Sequence, residues 1–240
     1  MSDISLERAV EVFVHAFCRV KSRFHPYLAE RVEGLWVMRD GPGRKEPRKV
    51  EVIANEMEPA EVVAGVGRAE LGWHFLCDIR ADDSSQEAIK AEYKRLGYRK
   101  VSTEWLFTHD LLEIPAFESE PPARLITEMP AVVPPRTTYR EFPQIRSDAR
   151  LYCSWTDHEV FGSVYSVPFG KDSWVSDLFV YQQFRRSGYG RALMSRLLQD
   201  DRDLGIAHSA LLSSAAGKNL YPVMGYEKRA TLQMFCPLKR

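Results

Sequence analysis

A short basic loop with two glycines stands between a predicted strand and a predicted helix near the C-terminus. It reads Arg-Arg-Ser-Gly-Tyr-Gly over residues 185–190. At the start of a helix several backbone N–H groups lack intrahelical partners and the helix dipole is positive, so an anion binds there. Glycine lets the backbone approach such a ligand closely, and arginine adds positive charge. The spacing therefore predicts a phosphate-binding loop.

Two familiar kinds of phosphate loop do not fit this spacing. A P-loop requires a lysine and then a serine or threonine directly after its last glycine, and neither follows here. A dinucleotide-binding fingerprint requires a third glycine and an acid about 20 residues downstream. That third glycine is absent at the required place. Taken alone, the loop could equally be an ordinary connection between a strand and a helix.

The flanking residues resemble the signature of the GCN5-related N-acetyltransferase (GNAT) superfamily. That signature joins a strand ending in Leu-x-Val to a loop Arg-[Gly/Arg]-x-Gly-[Ile/Tyr]-Gly-x-x-Leu. The chain follows it from Leu178 to Leu193, with Gln182 in place of the usual proline. A second family motif, Leu-Tyr-x-x-x-Gly-Tyr, contains Tyr221 and Gly225 at the expected distance downstream.

The resemblance covers about residues 149–236 and implies acetyl-CoA as the co-substrate. In this family the loop amides hold the pyrophosphate, and the preceding strand separates from its neighbour to bond the pantetheine arm. Tyr221 matches a tyrosine that often protonates the leaving thiolate, which makes it the candidate catalytic residue. The candidate coenzyme contacts are Leu178, Phe179, Val180, Arg185, Arg186, Ser187, Gly188, Tyr189, Gly190, Arg191 and Asn219.

No residue stands out as the general base that must take a proton from the acceptor amine. Regular strand alternation places Trp174 and Ser176, with Leu178 and Val180, on the face where some relatives carry a glutamate, and Asp177 on the other face. His158 and Glu159 fall in a predicted turn, where side chains more often face solvent than take part in catalysis. An ordered water chain is therefore an alternative base. The histidines show no metal-ligand spacing, and no metal is predicted.

The acceptor pocket is expected to take aromatic side chains from a predicted hairpin and further side chains from the N-terminal half. The hairpin aromatics are Tyr152, Trp155 and Tyr165, which could equally be core residues.

Hydrophobic patterning predicts the elements that must position these residues. Helices are predicted over residues 5–20, from Pro59 to about Leu71, and over 84–96. Strands are predicted over 35–38, 50–54, 73–79, 98–109, 124–127, 150–155, 160–165, 175–180, 208–213 and 231–236.

The N-terminal half repeats the order of these elements about 130 residues earlier. Tyr-x-x-x-Gly-Tyr-x-Lys occurs at Tyr93 and again at Tyr221. The first copy has Asn55–Pro59, with two glutamates, where the second has its arginine–glycine loop. We therefore expect an inactive first copy, and a tyrosine at the same place in that copy leaves Tyr221 open to a packing role.

These patterns predict an α/β chain (α+β, mixed sheet) of tandem GNAT-like lobes, each a central, mostly antiparallel sheet flanked by helices. The predicted divisions are a degenerate lobe over residues 1–115, a proline-rich linker and start of the second lobe over 116–148, and an acetyl-CoA-binding lobe over 149–240.

The amino-acid composition limits the kinds of molecule that the chain is expected to bind. The chain has 33 basic and 33 acidic residues, which argues against nucleic-acid or anionic-membrane binding. It shows no long apolar run and no signal-peptide pattern, and its four cysteines are widely spaced. We expect a cytoplasmic protein whose partner is a small-molecule or peptide amine, with homodimerisation left open.

The sequence thus predicts an enzyme that transfers the acetyl group of acetyl-CoA directly to a primary amine. A longer acyl donor is not excluded. The alternative is a non-catalytic acyl-CoA-binding or interaction module, which the missing base and the degenerate first lobe favour.

Overall fold

The computed structural model describes residues 4–22, 24–127, 149–156 and 159–238. His158 and most of the predicted linker, from residue 128 to 148, lie outside these ranges. In chain order the elements are α1 (Leu6–Lys21), β1 (Tyr27–Val32), β2 (Leu35–Asp40), β3 (Val50–Asn55), α2 (Pro59–Arg68), β4 (His74–Arg80), α3 (Gln86–Arg95), β5 (Tyr98–His109), β6 (Arg124–Ile126), β7 (Arg150–Trp155), β8 (Val160–Phe169), β9 (Asp172–Val180), α4 (Tyr189–Asp203), β10 (His208–Ser213), α5 (Leu220–Val223) and β11 (Glu227–Pro237).

The chain forms two compact units. The N-terminal unit comprises residues 5–107, 212–216 and 228–240, and the C-terminal unit comprises residues 1–4, 108–211 and 217–227.

The sheet of the N-terminal unit has the strand order β1-β2-β3-β4-β11-β5. The first three strands pair antiparallel, whereas β3 and β4 are parallel because α2 carries the chain across between them. Strand β11 pairs antiparallel with β4. The apolar core against α2 and α3 includes Leu35, Val52, Leu76, Tyr93 and Phe235.

The sheet of the C-terminal unit has the strand order β10-β9-β8-β7-β6. Strands β6 to β9 form three antiparallel pairs, and β9 pairs parallel with β10 after the α4 crossover. Helix α4, which follows the phosphate loop as predicted, buries Leu193, Leu197 and Leu198 along one face.

Both sheets are mixed and carry helices, which confirms the predicted α/β fold. Each unit contains antiparallel strands followed by a helix crossover to a parallel strand, and the internal repeat as such stays a prediction. The hydrophobic pattern does not predict strand β1, because only Tyr27 of its six residues is buried. Within the described ranges no helix is both long and apolar enough to cross a membrane.

The division of the chain differs from the predicted boundaries at its C-terminal end. The predicted boundary at residue 115 lies close to the structural one at 107, but residues 228–240 belong to the N-terminal unit. The reason is the pairing of β11 with β4, from Thr231 opposite Arg80 to Phe235 opposite Leu76. The local hydrophobic pattern of β11 does not show which strand it pairs with, because β4 lies about 150 residues earlier in the chain.

Candidate functional site

The predicted phosphate loop connects β9 to the first turn of α4. A 3₁₀ turn at Gln182–Phe184 follows β9, and Gly188 caps α4 with a φ of 91°. The first intrahelical bond of α4 runs from the Ala192 N–H to the Gly188 carbonyl at 3.1 Å. The amides of Tyr189, Gly190 and Arg191 therefore precede the helical ladder, as an anion site at a helix start requires.

Tyr189 holds this loop in place. Its ring packs 4.8 Å from the ring of Phe161 and 6.2 Å from that of Phe184. Its hydroxyl donates to the carbonyl of Glu120 at 2.5 Å, and burial raises the pKa of Tyr189. The side chain is thus an anchor, and any coenzyme contact at this position falls to its backbone N–H. The anchoring partners cannot be predicted from the local sequence, because they come from three separate segments.

Arg185 of the loop and Arg191 of α4 contact different partners. Arg185, Arg186 and Ser187 are exposed, and Arg186 has a φ of 65°. The Nε of Arg185 donates to the Val180 carbonyl at 3.0 Å. The guanidinium of Arg191 lies 4.7 Å from the ring of Phe117.

Strand β9 has an open edge next to the loop. Its parallel ladder with β10 covers three pairs, from Asp172 opposite His208 to Trp174 opposite Ala210. Strand β9 continues for six more residues to Val180, so its backbone groups on that side lie beyond the ladder. This separation is what the family resemblance implies for a pantetheine arm.

The predicted alternation of β9 is wrong beyond Ser176. Tyr165 of β8 lies opposite Ser176 and Ser163 lies opposite Phe179, so β9 has one residue more than β8 across this interval. Asp177, with a φ of 53°, marks this bulge. Phe179 therefore shares the face of Ser176, and Leu178 and Val180 turn to the opposite face. Aspartate tolerates the left-handed region, but this alone does not identify a bulge in a sequence.

Tyr221 is buried on α5, beside the start of α4. Its side chain is 7% exposed and its ring lies 5.8 Å from that of Tyr226. A methyl group on Gly190 would come within 3.6 Å of Leu220 Cδ2, which places α5 against the first turn of α4. Burial raises the pKa of Tyr221 to about 12. Asn219, in contrast, is exposed and makes no side-chain cap bond.

The hairpin aromatics do not form one group. Tyr152 is fully buried and lies opposite Val164, on the face where Ser166 accompanies it and donates to Asp201 of α4. Tyr152 is therefore a core residue under α4. Tyr165 lies on the other face, with Ser176, and is 9% exposed.

The C-terminal unit also contains a cavity of about 690 Å³ whose lining includes no residue of the phosphate loop. Its lining comes from the end of β5, the segment after it and the end of α5, and it includes Asp110, Glu113 and Val223. The two carboxylates make this cavity unsuited to a pyrophosphate, which carries the same charge sign. Among the described residues no group of three or more metal-ligating side chains is close enough to hold a metal ion.

The corresponding strand pair of the N-terminal unit is closed. Strands β3 and β4 pair over six residues, ending with Asn55 opposite Ile79. The Glu56 N–H then donates to the Ile79 carbonyl at 3.1 Å, and the Glu56 carboxylate accepts from the Ala81 N–H at 2.6 Å. These bonds extend the contact between the two segments at the place where β9 and β10 separate in the C-terminal unit.

A buried polar network reinforces this closure. Arg80 Nε donates to Asp78 Oδ1 at 2.8 Å, and another nitrogen of Arg80 donates to the Met57 carbonyl. Tyr93, which the predicted repeat aligns with Tyr221, donates to Asp78 Oδ2 at 2.8 Å. Burial is the largest influence on Asp78 and raises the pKa of its carboxyl.

Comparison with known proteins agrees with this geometry. Residues 147–228 match the model of the acetyltransferase (GNAT) domain. No curated protein matches the chain.

Among solved structures, a GCN5-related N-acetyltransferase from Kribbella flavida is 14% identical, with a TM-score of 0.63 over 95% of this chain and 96% of that one. One from Sphaerobacter thermophilus is 16% identical, with a TM-score of 0.56 over 83% and 76%. A GCN5-related glucosamine N-acetyltransferase region of a fungal multi-domain β-N-acetylglucosaminidase is 11% identical, with a TM-score of 0.51 over 98% and 37%. At such identities these likenesses show a shared fold.

Proposed function

We propose, on the premise that residues 147–228 are a GNAT acetyltransferase domain, that the chain is an N-acetyltransferase. It would transfer the acetyl group of acetyl-CoA directly to a primary amine. The observation that supports this most is the open edge of β9 beside a basic loop at the start of α4. A pyrophosphate and an extended amide-bearing arm need these two features next to each other.

The residues of the chain fit the coenzyme. Acetyl-CoA supplies the activated acetyl thioester. The amides of Tyr189, Gly190 and Arg191 would bind the pyrophosphate, with charge from Arg185 and Arg186. The edge of β9 up to Val180 would pair with the amide groups of the pantetheine arm.

The burial of Tyr221 decides how it takes part. Burial raises its pKa to about 12, because the tyrosinate anion is poorly solvated there. Burial therefore favours the neutral hydroxyl, which donates a hydrogen bond, over complete loss of its proton. We therefore assign Tyr221 the role of a hydrogen-bond donor that stabilises the leaving thiolate, which then takes its proton from solvent. Water is also the candidate acceptor of the amine proton.

The coenzyme assignment is tested by a pair of glycine variants. Gly188 and Gly205 both have left-handed φ angles, of 91° and 81°, and no atom lies within 4 Å of an added Cβ at either. They flank opposite ends of α4. Gly188→Asp places a carboxylate in the proposed phosphate site and should abolish acetyl-CoA binding by calorimetry. Gly205→Asp carries the same backbone strain and should retain it. Unchanged affinity in Gly188→Asp would remove the loop from the coenzyme site.

A measurement of turnover distinguishes the proposed enzyme from the alternative, a non-catalytic acyl-CoA-binding module. Thiol release from acetyl-CoA can be followed against a panel of primary amines. The panel should include glucosamine, because one structural neighbour is named for that acceptor, together with polyamines and peptide N-termini. Release that depends on an amine supports the enzyme, whereas tight binding without release from any amine supports the module.

A further inference from the structure

The last peptide group of β9 presents its carbonyl to the open edge of the strand. The Tyr181 N–H donates to the Phe161 carbonyl of β8 at 3.0 Å. This N–H and the Val180 carbonyl belong to one trans peptide, so they point in opposite directions. The Val180 carbonyl therefore points away from β8, toward the side on which the β9–β10 ladder has already ended.

The side chain of Arg185 is hydrogen-bonded to this carbonyl. Its Nε donates to the Val180 oxygen at 3.0 Å, and its guanidinium lies 5.9 Å from the ring of Phe179, at the outer limit of a cation–π contact. The side chain is exposed and belongs to the phosphate loop itself. One arginine of the phosphate loop thus caps the strand edge through Nε. If its guanidinium turns toward an anion in the loop, the Val180 carbonyl is released.

We propose that Arg185 makes the donor site select thioesters that carry a pyrophosphate. Without phosphate, the guanidinium caps the Val180 carbonyl and competes with the amide groups of an incoming pantetheine arm. A pyrophosphate at the start of α4 attracts the guanidinium and frees the carbonyl for the arm. Arg185 then favours coenzyme A thioesters twice, by binding their phosphates and by hindering donors that lack them. This inference rests on the proposed coenzyme site.

The test compares two donors that share the same arm. Acetyl-CoA carries the pyrophosphate, whereas S-acetylpantetheine does not. Arg185→Ala should weaken acetyl-CoA binding about tenfold, because a charge-assisted contact is lost. The same variant should bind S-acetylpantetheine about fivefold more tightly, because a competing hydrogen bond is removed. Calorimetry measures the first affinity, and titration of the acetyl methyl resonance at millimolar ligand measures the second.

Arg186→Gly is the matched control. It removes one positive charge from the same loop, and glycine accepts the φ of 65° at this position. It should weaken acetyl-CoA and leave S-acetylpantetheine unchanged. Opposite shifts for the two donors in Arg185→Ala alone support the inference. If Arg185→Ala weakens both donors, or leaves S-acetylpantetheine unchanged, the inference is wrong while the coenzyme site stands. If the unmodified protein binds no acetyl-CoA, the proposed function fails and the inference with it.

Discussion

Tyr221 is the candidate site residue whose burial bears most directly on the proposed chemistry. The family resemblance implies a tyrosine that protonates the thiolate, whereas burial of this side chain at 7% exposure raises its pKa and favours the neutral hydroxyl. A hydroxyl with a pKa near 12 can still donate a strong hydrogen bond to a developing anion. The two roles predict different pH behaviour.

Tyr221→Phe should lower kcat about 10- to 100-fold, because the thiolate loses a hydrogen bond to a charged group. The dissociation constant of acetyl-CoA should change little, since this bond strengthens only as charge develops on sulfur. The measurement is kcat from pH 6 to pH 10 for the two proteins. As a pure hydrogen-bond donor, Tyr221 stays protonated over this range, so both profiles keep the same shape. A basic limb that disappears in the variant would restore Tyr221 as the proton donor.

At single positions the sequence predicts what is decided locally. Gly188 and the arginines at the start of α4 follow from a helix start, whose requirements lie within a few residues. The bulge at Asp177 is not predictable in this way, because it depends on the register between β8 and β9. Tyr152 illustrates the same limit, since its burial under α4 is a matter of packing.

The parallel strand pairs β9–β10 and β3–β4 differ in the length of their hydrogen-bonded ladders. In the C-terminal unit the ladder ends after three pairs, whereas in the N-terminal unit it covers six and is extended by Glu56. The network of Asp78, Arg80 and Tyr93 stands beside the longer ladder. We interpret the closed pair as a structural element, which accounts for acids in the place of a basic loop.

Asp78→Ala tests the contribution of this network to stability. Removal of the carboxylate leaves the guanidinium of Arg80 buried without its partner, and such a loss costs about 3–5 kcal/mol. The free energy of unfolding from urea titration should fall by that amount. Glu92→Ala is the control, because its pair with Arg95 is exposed and should contribute less than about 1 kcal/mol. Equal effects of the two substitutions would contradict a structural role for the network.

Most helices and strands could be predicted because their hydrophobic period is strong. Helix α1 starts as expected at Ser5, whose hydroxyl accepts from the Arg8 N–H. Partners along a sheet are a different matter, since Thr231 to Phe235 pair with residues some 150 positions earlier. The hydrophobic pattern gives the face that a strand buries and leaves its neighbour undetermined.

At the scale of the molecule, the last strand of the chain completes the N-terminal unit. Phe235 of β11 is 1% exposed, and its ring lies 4.4 Å from that of Tyr93. It belongs to the same core cluster as Leu76 of β4. A residue close to the C-terminus is therefore expected to support the stability of the N-terminal unit.

Phe235→Ala should lower the free energy of unfolding by about 3–5 kcal/mol, because a large buried ring is replaced by a cavity. Amide hydrogen exchange should locate the loss in β4 and α3 of the N-terminal unit. Leu238→Ala, at a side chain that is 50% exposed, should change stability by less than about 0.5 kcal/mol. Loss of protection confined to the C-terminal unit would contradict this placement.

The position of β11 also bears on how the protein folds during its synthesis. Strand β11 lies between β4 and β5, which are complete by residue 109, whereas β11 ends at Pro237. At about 5–20 residues per second a ribosome needs about 6 to 26 s to cover this distance. During that interval the N-terminal unit has unpaired strand edges, which are templates for wrong pairing. We therefore expect this unit to reach its final sheet only after β11 has been made.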